Sequence, residues 1–169
     1  MNPSGANRRA KHKGAFLNRP FPAAQVDVLW DFLTSDKYHN PAAGVQVDAY
    51  GCQINAVAAD RTAMPHRSAV LLLQYMAHWA NARGAAETGD GDDANLEWLR
   101  KFYSAMYGER GPRPDGTMDG SYVNFPDTDL RDWQTLYYKD NYRRLQQVKK
   151  RWDPTNVFRH AQSIEVPKD

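Results

Sequence analysis

The sequence predicts an α+β fold: a mainly antiparallel sheet with helices packed on one face and a helical segment at the carboxy end. Three observations carry this. Segments of strand and helix pattern follow one another irregularly, as strand, helix, strands, helix, strand, helix, with hairpin-like neighbours. Ala69–Tyr75 is a continuous apolar run closed by Gln74-Tyr75, as in a central strand covered on both faces. So short a run also leaves a helix open. The composition, 41% apolar, 12% aromatic and 25% charged, is that of a globular chain and excludes wholesale disorder. The 169 residues suit one domain of ~100–200 residues.

Each element has its own signal. Residues 1–10 are polar and read as a disordered tail. Lys11–Leu17 reads as a strand, stopped by Pro20 and Pro22, which cannot donate to a ladder. Val26, Leu29, Trp30 and Leu33 recur at i, i+3, i+4 and i+7, the apolar face of a helix starting after Pro22. Val45, Val47 and Ala49 alternate with polar residues as in a half-buried strand. Gly51 turns the chain, and Gln53–Val57 reads as a further strand. Residues 84–93 form an acidic, glycine-rich loop. Leu96, Leu99, Phe102 or Tyr103, and Met106 then mark a helix face. Asp92 and Asp93 complement the dipole at its start, and Gly108 follows its end. A second loop, 108–120, holds two prolines and four glycines, and Ser121–Phe125 is strand-like. Tyr142, Leu145, Val148 and Trp152 mark the closing helix, which Asp153-Pro154 stops.

Several function classes are excluded or disfavoured. Lys plus Arg is 22 against 20 Asp plus Glu, a net charge of +2, so no strong field for nucleic acid or a membrane surface follows. The basic residues Arg143, Arg144, Lys149, Lys150 and Arg151 read as a solvated face. The longest aliphatic run, 69–73, is far short of the ~20 residues of a membrane helix. The basic amino terminus lacks the apolar core of a secretory signal, which leaves a cytoplasmic or unassigned location. A lone cysteine, Cys52, excludes an intrachain disulfide and reads as a packed small residue. The five histidines are scattered without ligand spacing, so no metal is expected. No GxSxG, HExxH, CxxC or glycine-rich phosphate loop is present.

Three segments together carry a resemblance. The first is Tyr50-Gly51-Cys52-Gln53-Ile54-Asn55 followed by Thr62–Arg67, and the second is Leu72-Leu73-Gln74-Tyr75. The third runs Tyr122-Val123-Asn124-Phe125-Pro126-Asp127 with Asp129-Leu130, then Tyr137-Tyr138, Asn141-Tyr142, Arg144-Leu145, Val148-Lys149, Asp153-Pro154, Asn156, Phe158 and Gln162-Ser163-Ile164. This pattern resembles the carboxy-terminal part of the berberine-bridge-enzyme-like FAD-linked oxidases, over residues 10–165. The resemblance implies a partial substrate-binding lobe at 11–120 and the family's carboxy-terminal segment at 121–165. It also implies FAD as cofactor, held by an FAD-binding domain that no part of this chain resembles.

Carried over position by position, Tyr122 and Asn124 match the flavin-facing tyrosine and asparagine of the family's Tyr-x-Asn-Tyr motif. The second tyrosine, the usual catalytic base, is Phe125 here, and a phenyl ring cannot accept a proton. The catalytic residue is thus unassigned. Gln74 matches an active-site glutamine, and strand alternation puts Leu72 on the same face, where other members carry a polar residue. Gly51-Cys52 stands where Gly-Gly is usual. Without the resemblance, Tyr122 and Phe125 read equally as core aromatics and Gln74 as a buried amide. His66-Arg67 reads as a turn with an outward charge, and Asn156 with Phe158 as a cap and pin for the last helix. The expected function is the substrate wall of an FAD-dependent oxidoreductase acting on a small molecule, its partner an FAD-binding domain on another chain. The alternative is a non-catalytic relic or interaction protein that binds a partner or itself through bare apolar surface.

Overall fold

A computed structural model of the chain describes residues 8–80 and 92–167. The elements are β1 (Arg8–Leu17), α1 (Ala23–Thr34), β2 (Ala43–Ala49), β3 (Leu71–Ala80), α2 (Asp92–Tyr107), α3 (Trp133–Tyr138) and α4 (Asn141–Trp152). The three strands form one antiparallel sheet in the order β1-β3-β2. The α+β expectation holds, and the apolar run at 71–75 is indeed the central strand. Two-residue periodicity divides its side chains between the faces. Ala15, Leu17, Leu73 and Tyr75 pack against Leu99, Phe102, Tyr103 and Met106 of α2 in the main core. Phe16 and Leu72 point the other way, into a smaller cluster with Tyr50, Met64, Tyr122 and Phe125. The helices therefore cover one face and leave the other to a loop.

Several expectations need correction. Arg8 already pairs with Ala80, so β1 begins inside the expected tail; residues 1–7 lie outside the described residues. Gln53–Val57 is not a strand: Cys52–Ile54 makes a single 3-10 turn, and the chain then loops on through exposed residues. Ser121–Phe125 is not a strand either. Residues 117–120 run along the free edge of β1, with Asn18 N donating to Thr117 O at 2.8 Å and Phe16 N to Gly120 O at 2.9 Å. This covers an edge that would otherwise present unpaired backbone groups. Gly120, at φ +104, then turns the chain off the edge and across the open sheet face. The loop at 108–120 thus guards a sheet edge. The loop expected at 84–93 falls mostly outside the described residues, and α2 begins at Asp92.

Helix faces also moved. In α1, Val28, Leu29 and Phe32 face the core, whereas Trp30 is 69% exposed and Val26 and Leu33 are half exposed. Phe32 stacks on Phe102, ring centroids 4.7 Å apart, and this contact sets the rotation of the helix. Val47 on the edge strand β2 is exposed as well. In α4 the Tyr142/Leu145/Val148/Trp152 stripe is only partly covered, with Trp152 outward. Among the described residues no helix is long and apolar enough to cross a membrane.

Asp153 ends α4. Its carboxylate accepts from Val157 N at 2.7 Å and Phe158 N at 3.0 Å and meets the Lys149 ammonium, while Asn156 takes the left-handed conformation at φ +54. The pin is therefore Asp153, with the backbone of Phe158; the Phe158 ring itself is 78% exposed. Cys52 is exposed, not packed, and sits at φ +51 beside Gly51. A left-handed non-glycine residue costs about 1–2 kcal/mol, part of which glycine's chain entropy would offset. Cys52→Gly is expected to raise stability by about 0.5–1 kcal/mol in urea titration. A loss would show that the thiol has an unseen packing role.

Candidate functional site

The open sheet face gathers the residues that sequence reasoning singled out. Leu72 lies beneath the Tyr122 and Phe125 rings, next to Phe16. Gln74, two residues on, shares that face. The Phe125 ring crosses β1 at Gly14, where an added Cβ would stand 3.1 Å from Phe125 Cδ2. Tyr122 packs edge-on against Phe125 at 5.2 Å and against Phe16 at 5.7 Å. Asn124 is exposed at the rim, and its Nδ2 donates to Tyr122 Oη at 2.7 Å. Leu72, Gln74, Tyr122, Asn124 and Phe125 are thus brought to one surface.

Sequence reasoning missed two histidines there. His12 sits beside Gln74, its Nδ1 2.7 Å from Gln74 Nε2. His12 also stacks toward Phe125 at 6.4 Å and meets His78 edge-on at 4.9 Å. Burial, and then electrostatic repulsion from the neighbouring His78, push the His12 imidazole below its usual value, which favours the neutral ring. The available signal was register: alternation along β1 puts His12, Gly14 and Phe16 on one face, and antiparallel pairing to β3 makes His12 and His78 diagonal neighbours. Gln46 and Asp48 of β2 complete the far side, with Gln46 Nε2 donating to Asp48 at 3.0 Å. Among the described residues no group of three or more His, Cys, Asp or Glu is placed to hold a metal ion.

His66 is the main misreading. It is buried, not outward: its ring stacks on Phe16 at 4.3 Å, and Nε2 lies 3.2 Å from the Tyr137 carbonyl oxygen. Arg67 is tied down, donating to Ile54 O at 3.0 Å and Thr62 Oγ1 at 2.7 Å. His66 therefore underpins the open face from within.

A buried ion network holds the loop that crosses the face. Asp127, with a fully buried side chain, accepts from Lys11 Nζ and Lys13 Nζ, each at 2.6 Å. Asp129 lies 3.2 and 3.1 Å from the same ammoniums and takes two hydrogen bonds from Arg100. Gln162 Nε2 donates to Asp127 O at 2.6 Å, and Asp127 N donates to Tyr137 Oη at 3.0 Å. Burial, outweighing the Asp127 backbone bond, pushes the Tyr137 phenol up to about 12. Burial alone would raise the Asp129 carboxyl, but the Arg100 hydrogen bonds and the two lysines outweigh it and hold the group well below the ordinary range. A depressed carboxyl stabilises the fold fully above its unfolded value of about 3.9, and that stability drains away as pH falls toward the folded value. Urea midpoints are therefore expected to hold down to about pH 4 and then fall. Asp129→Asn should flatten this acid limb; an unchanged limb would remove Asp129 from the network's energetics.

Fold and face together define an α+β lobe with helices behind the sheet and an aromatic, amide- and histidine-bearing wall in front. Residues 121–165 match the family "Berberine and berberine like". Hexose oxidase of Chondrus crispus is 37% identical over 97% of this chain and 33% of its own length. Aclacinomycin-N/aclacinomycin-A oxidase of Streptomyces galilaeus is 38% identical over 97% of this chain and 30% of its own length. The crystal structure of CrmK, a flavoenzyme of caerulomycin biosynthesis, superposes with a TM-score of 0.87 at 39% identity, covering 98% of this chain and 34% of that one. The chain is homologous, along nearly its whole length, to part of the berberine-bridge-enzyme-like FAD-linked oxidoreductases. It spans about a third of the length of the relatives it matches.

Proposed function

We propose that this chain forms the substrate-side wall of an FAD-dependent oxidoreductase, its open sheet face lying over the flavin ring system. One observation carries the reading: Leu72, Gln74, Tyr122 and Phe125 converge on the sheet face that no helix among the described residues covers. Such a face fits a planar ring. It is partly aromatic, and it carries the Tyr122 hydroxyl and the Asn124 amide. It does not fit the diphosphate, because the sequence holds no glycine-rich phosphate loop. Tyr122 and Asn124 would therefore face the ring, while polypeptide beyond these 169 residues, in the same chain or another, would hold the rest of FAD. When bound, FAD supplies the two-electron acceptor. This chain's part is to seat the substrate, exclude water and handle its proton. The relatives named for hexose and aclacinomycin point to an alcohol carbon in a small molecule as the class of substrate.

The isolated 169 residues are expected to purify colourless. Coexpressed with an FAD-binding part, they should yield a yellow protein in which an alcohol bleaches the flavin under anaerobic conditions. Stoichiometric flavin and turnover on the isolated chain would sink the shared-site reading.

A second reading, an interaction protein derived from this lobe, is favoured by the apolar side chains at Trp152, Val157 and Phe158, 68–78% exposed. Light scattering separates the two. Concentration-dependent self-association that Phe158→Ser abolishes supports the second; a strict monomer that binds only an FAD-binding part supports the first.

A further inference from the structure

We propose that His12, oriented by Gln74, is the group of this wall that takes the proton from an alcohol substrate; this deepens the oxidoreductase reading and rests on it. Oxidising an alcohol carbon removes two electrons and two hydrogens, and one of those hydrogens must leave as a proton. The open face offers few acceptors among the described residues. Tyr122 Oη already accepts from Asn124. Tyr50 Oη is turned to Met64 Sδ at 3.4 Å, and burial raises its pKa. Asp48 lies on the outer strand and is engaged by Gln46. Phe125 has no proton chemistry. His12 and His78 remain, and of the two only His12 is braced by Gln74 and has its ring facing Phe125; it is half-buried, on the strand beside the central one.

The His12–Gln74 contact decides which nitrogen is available. As placed, Gln74 Nε2 donates to His12 Nδ1. Gln74 Oε1 has no hydrogen-bond partner among the described residues, so nothing there fixes the sense of the amide, whose two ends exchange by a half-turn. With Oε1 toward the ring, His12 Nδ1–H donates to it and the Nε2 lone pair is free. That is the tautomer a base requires, and an orienting acceptor on the opposite nitrogen stabilises the imidazolium that forms. His12 Nε2 has no hydrogen-bond partner among the described residues. The environment keeps the ring ready. His78 on β3 is the titratable group facing it, Tyr122 and Phe125 come from the crossing loop, and Lys11 and Lys13 point to the other face, where Asp127 and Asp129 hold them. Burial and His78 both favour the neutral ring.

The step balances simply. The substrate O–H bond breaks and its proton forms N–H on His12 Nε2. With FAD bound as the two-electron oxidant, the adjacent C–H hydrogen would leave with its electron pair to it, and a carbonyl would remain. His12 then returns its proton to solvent.

Two measurements test this. The first needs no flavin: imidazole nitrogen NMR of the 169-residue chain, with His12 assigned through His12→Asn. Expected are titration below the ordinary histidine range, a bare Nε2 when neutral, and loss of that tautomer preference in Gln74→Leu. A neutral ring protonated at Nε2, unmoved by Gln74→Leu, overturns the proposal. The second uses the flavin-loaded protein. His12→Asn should keep the flavin and its spectrum but slow anaerobic flavin reduction about 10²–10⁴-fold and abolish the acid limb of its pH profile. If His12→Asn reduces flavin as fast as the unaltered protein, His12 is dismissed while the wall reading stands. If the unaltered protein binds flavin and no alcohol reduces it, the wall reading fails and takes His12 with it.

Discussion

Asp127→Ala is expected to cost about 3–5 kcal/mol and to leave the chain at the edge of unfolding. The carboxylate is fully buried, and both ammoniums on it are nearly so, Lys13 with only 4% of its side chain exposed. Removing the anion strands two cations in an apolar interior, which is more expensive than losing an ion pair at the surface. Asp129 lies close enough to take up part of the charge, which places the result toward the lower end of the range. The same carboxylate accepts from Asp129 N at 3.1 Å, so the turn carrying Phe125 and Pro126 loses its anchor as well. Urea titration gives the cost directly. A change under about 1 kcal/mol would mean that Asp129 alone neutralises both lysines. Arg113→Ala is the control: its pair with Asp132 is half exposed and should be worth well under 1 kcal/mol.

Gly120→Ala should be as damaging, for a steric reason. Gly120 sits at φ +104, a backbone conformation that side-chain-bearing residues rarely adopt. An added Cβ would lie 2.4 Å from the Leu136 carbonyl oxygen and 2.8 Å from His66 Cε1. Neither neighbour can yield, because Leu136 O accepts from Ser121 N at 2.9 Å and the His66 ring is stacked on Phe16. A destabilisation of about 4 kcal/mol or more, or failure to fold, is expected. Gly116→Ala, with nothing within 4 Å and no positive φ, should be close to neutral. Equal effects at the two glycines would rule out the backbone clash.

Periodicity recovered the parts of the fold where burial and pattern coincide. Leu99, Phe102, Tyr103 and Met106 repeat with the helix because α2 lies flat on the sheet. The 71–75 run reads as a central strand because Leu73 and Tyr75 are buried under α2 and Leu72 under the Tyr122–Phe125 loop. The method failed where apolar residues face outward. Trp30 and Trp152 look like core on any apolar stripe, yet α1 is turned by the Phe32–Phe102 stack and α4 lies over a polar loop, donating from Arg144 to Asp60 O. Ser121–Phe125 reads like a strand, but Ser121 N donates to Leu136 O of α3 and Phe125 N turns back to Tyr122 O, so it pairs with no strand. Among site residues, Leu72, Gln74, Tyr122, Asn124 and Phe125 came from motif order, and alternation placed the first two together. His12 and His78 stayed hidden because their meeting depends on the strand register, fixed by residues more than fifty positions apart.

The fastening of the crossing loop has a kinetic consequence. Lys11 and Lys13 meet Asp127 across 116 and 114 intervening steps of sequence. Contacts that long are slow to close, because the loop entropy is spent before any bond rewards it. On a ribosome the first strand emerges with two ammoniums that have no anion until residue 127 follows, so β1 and β3 can pair early while the wall is completed late. Refolding is therefore expected to run in order: sheet and α2 first, residues 121–130 last. The surface proposed to face the flavin would then be the final part of the lobe to become competent, and the first to be lost under mild denaturant.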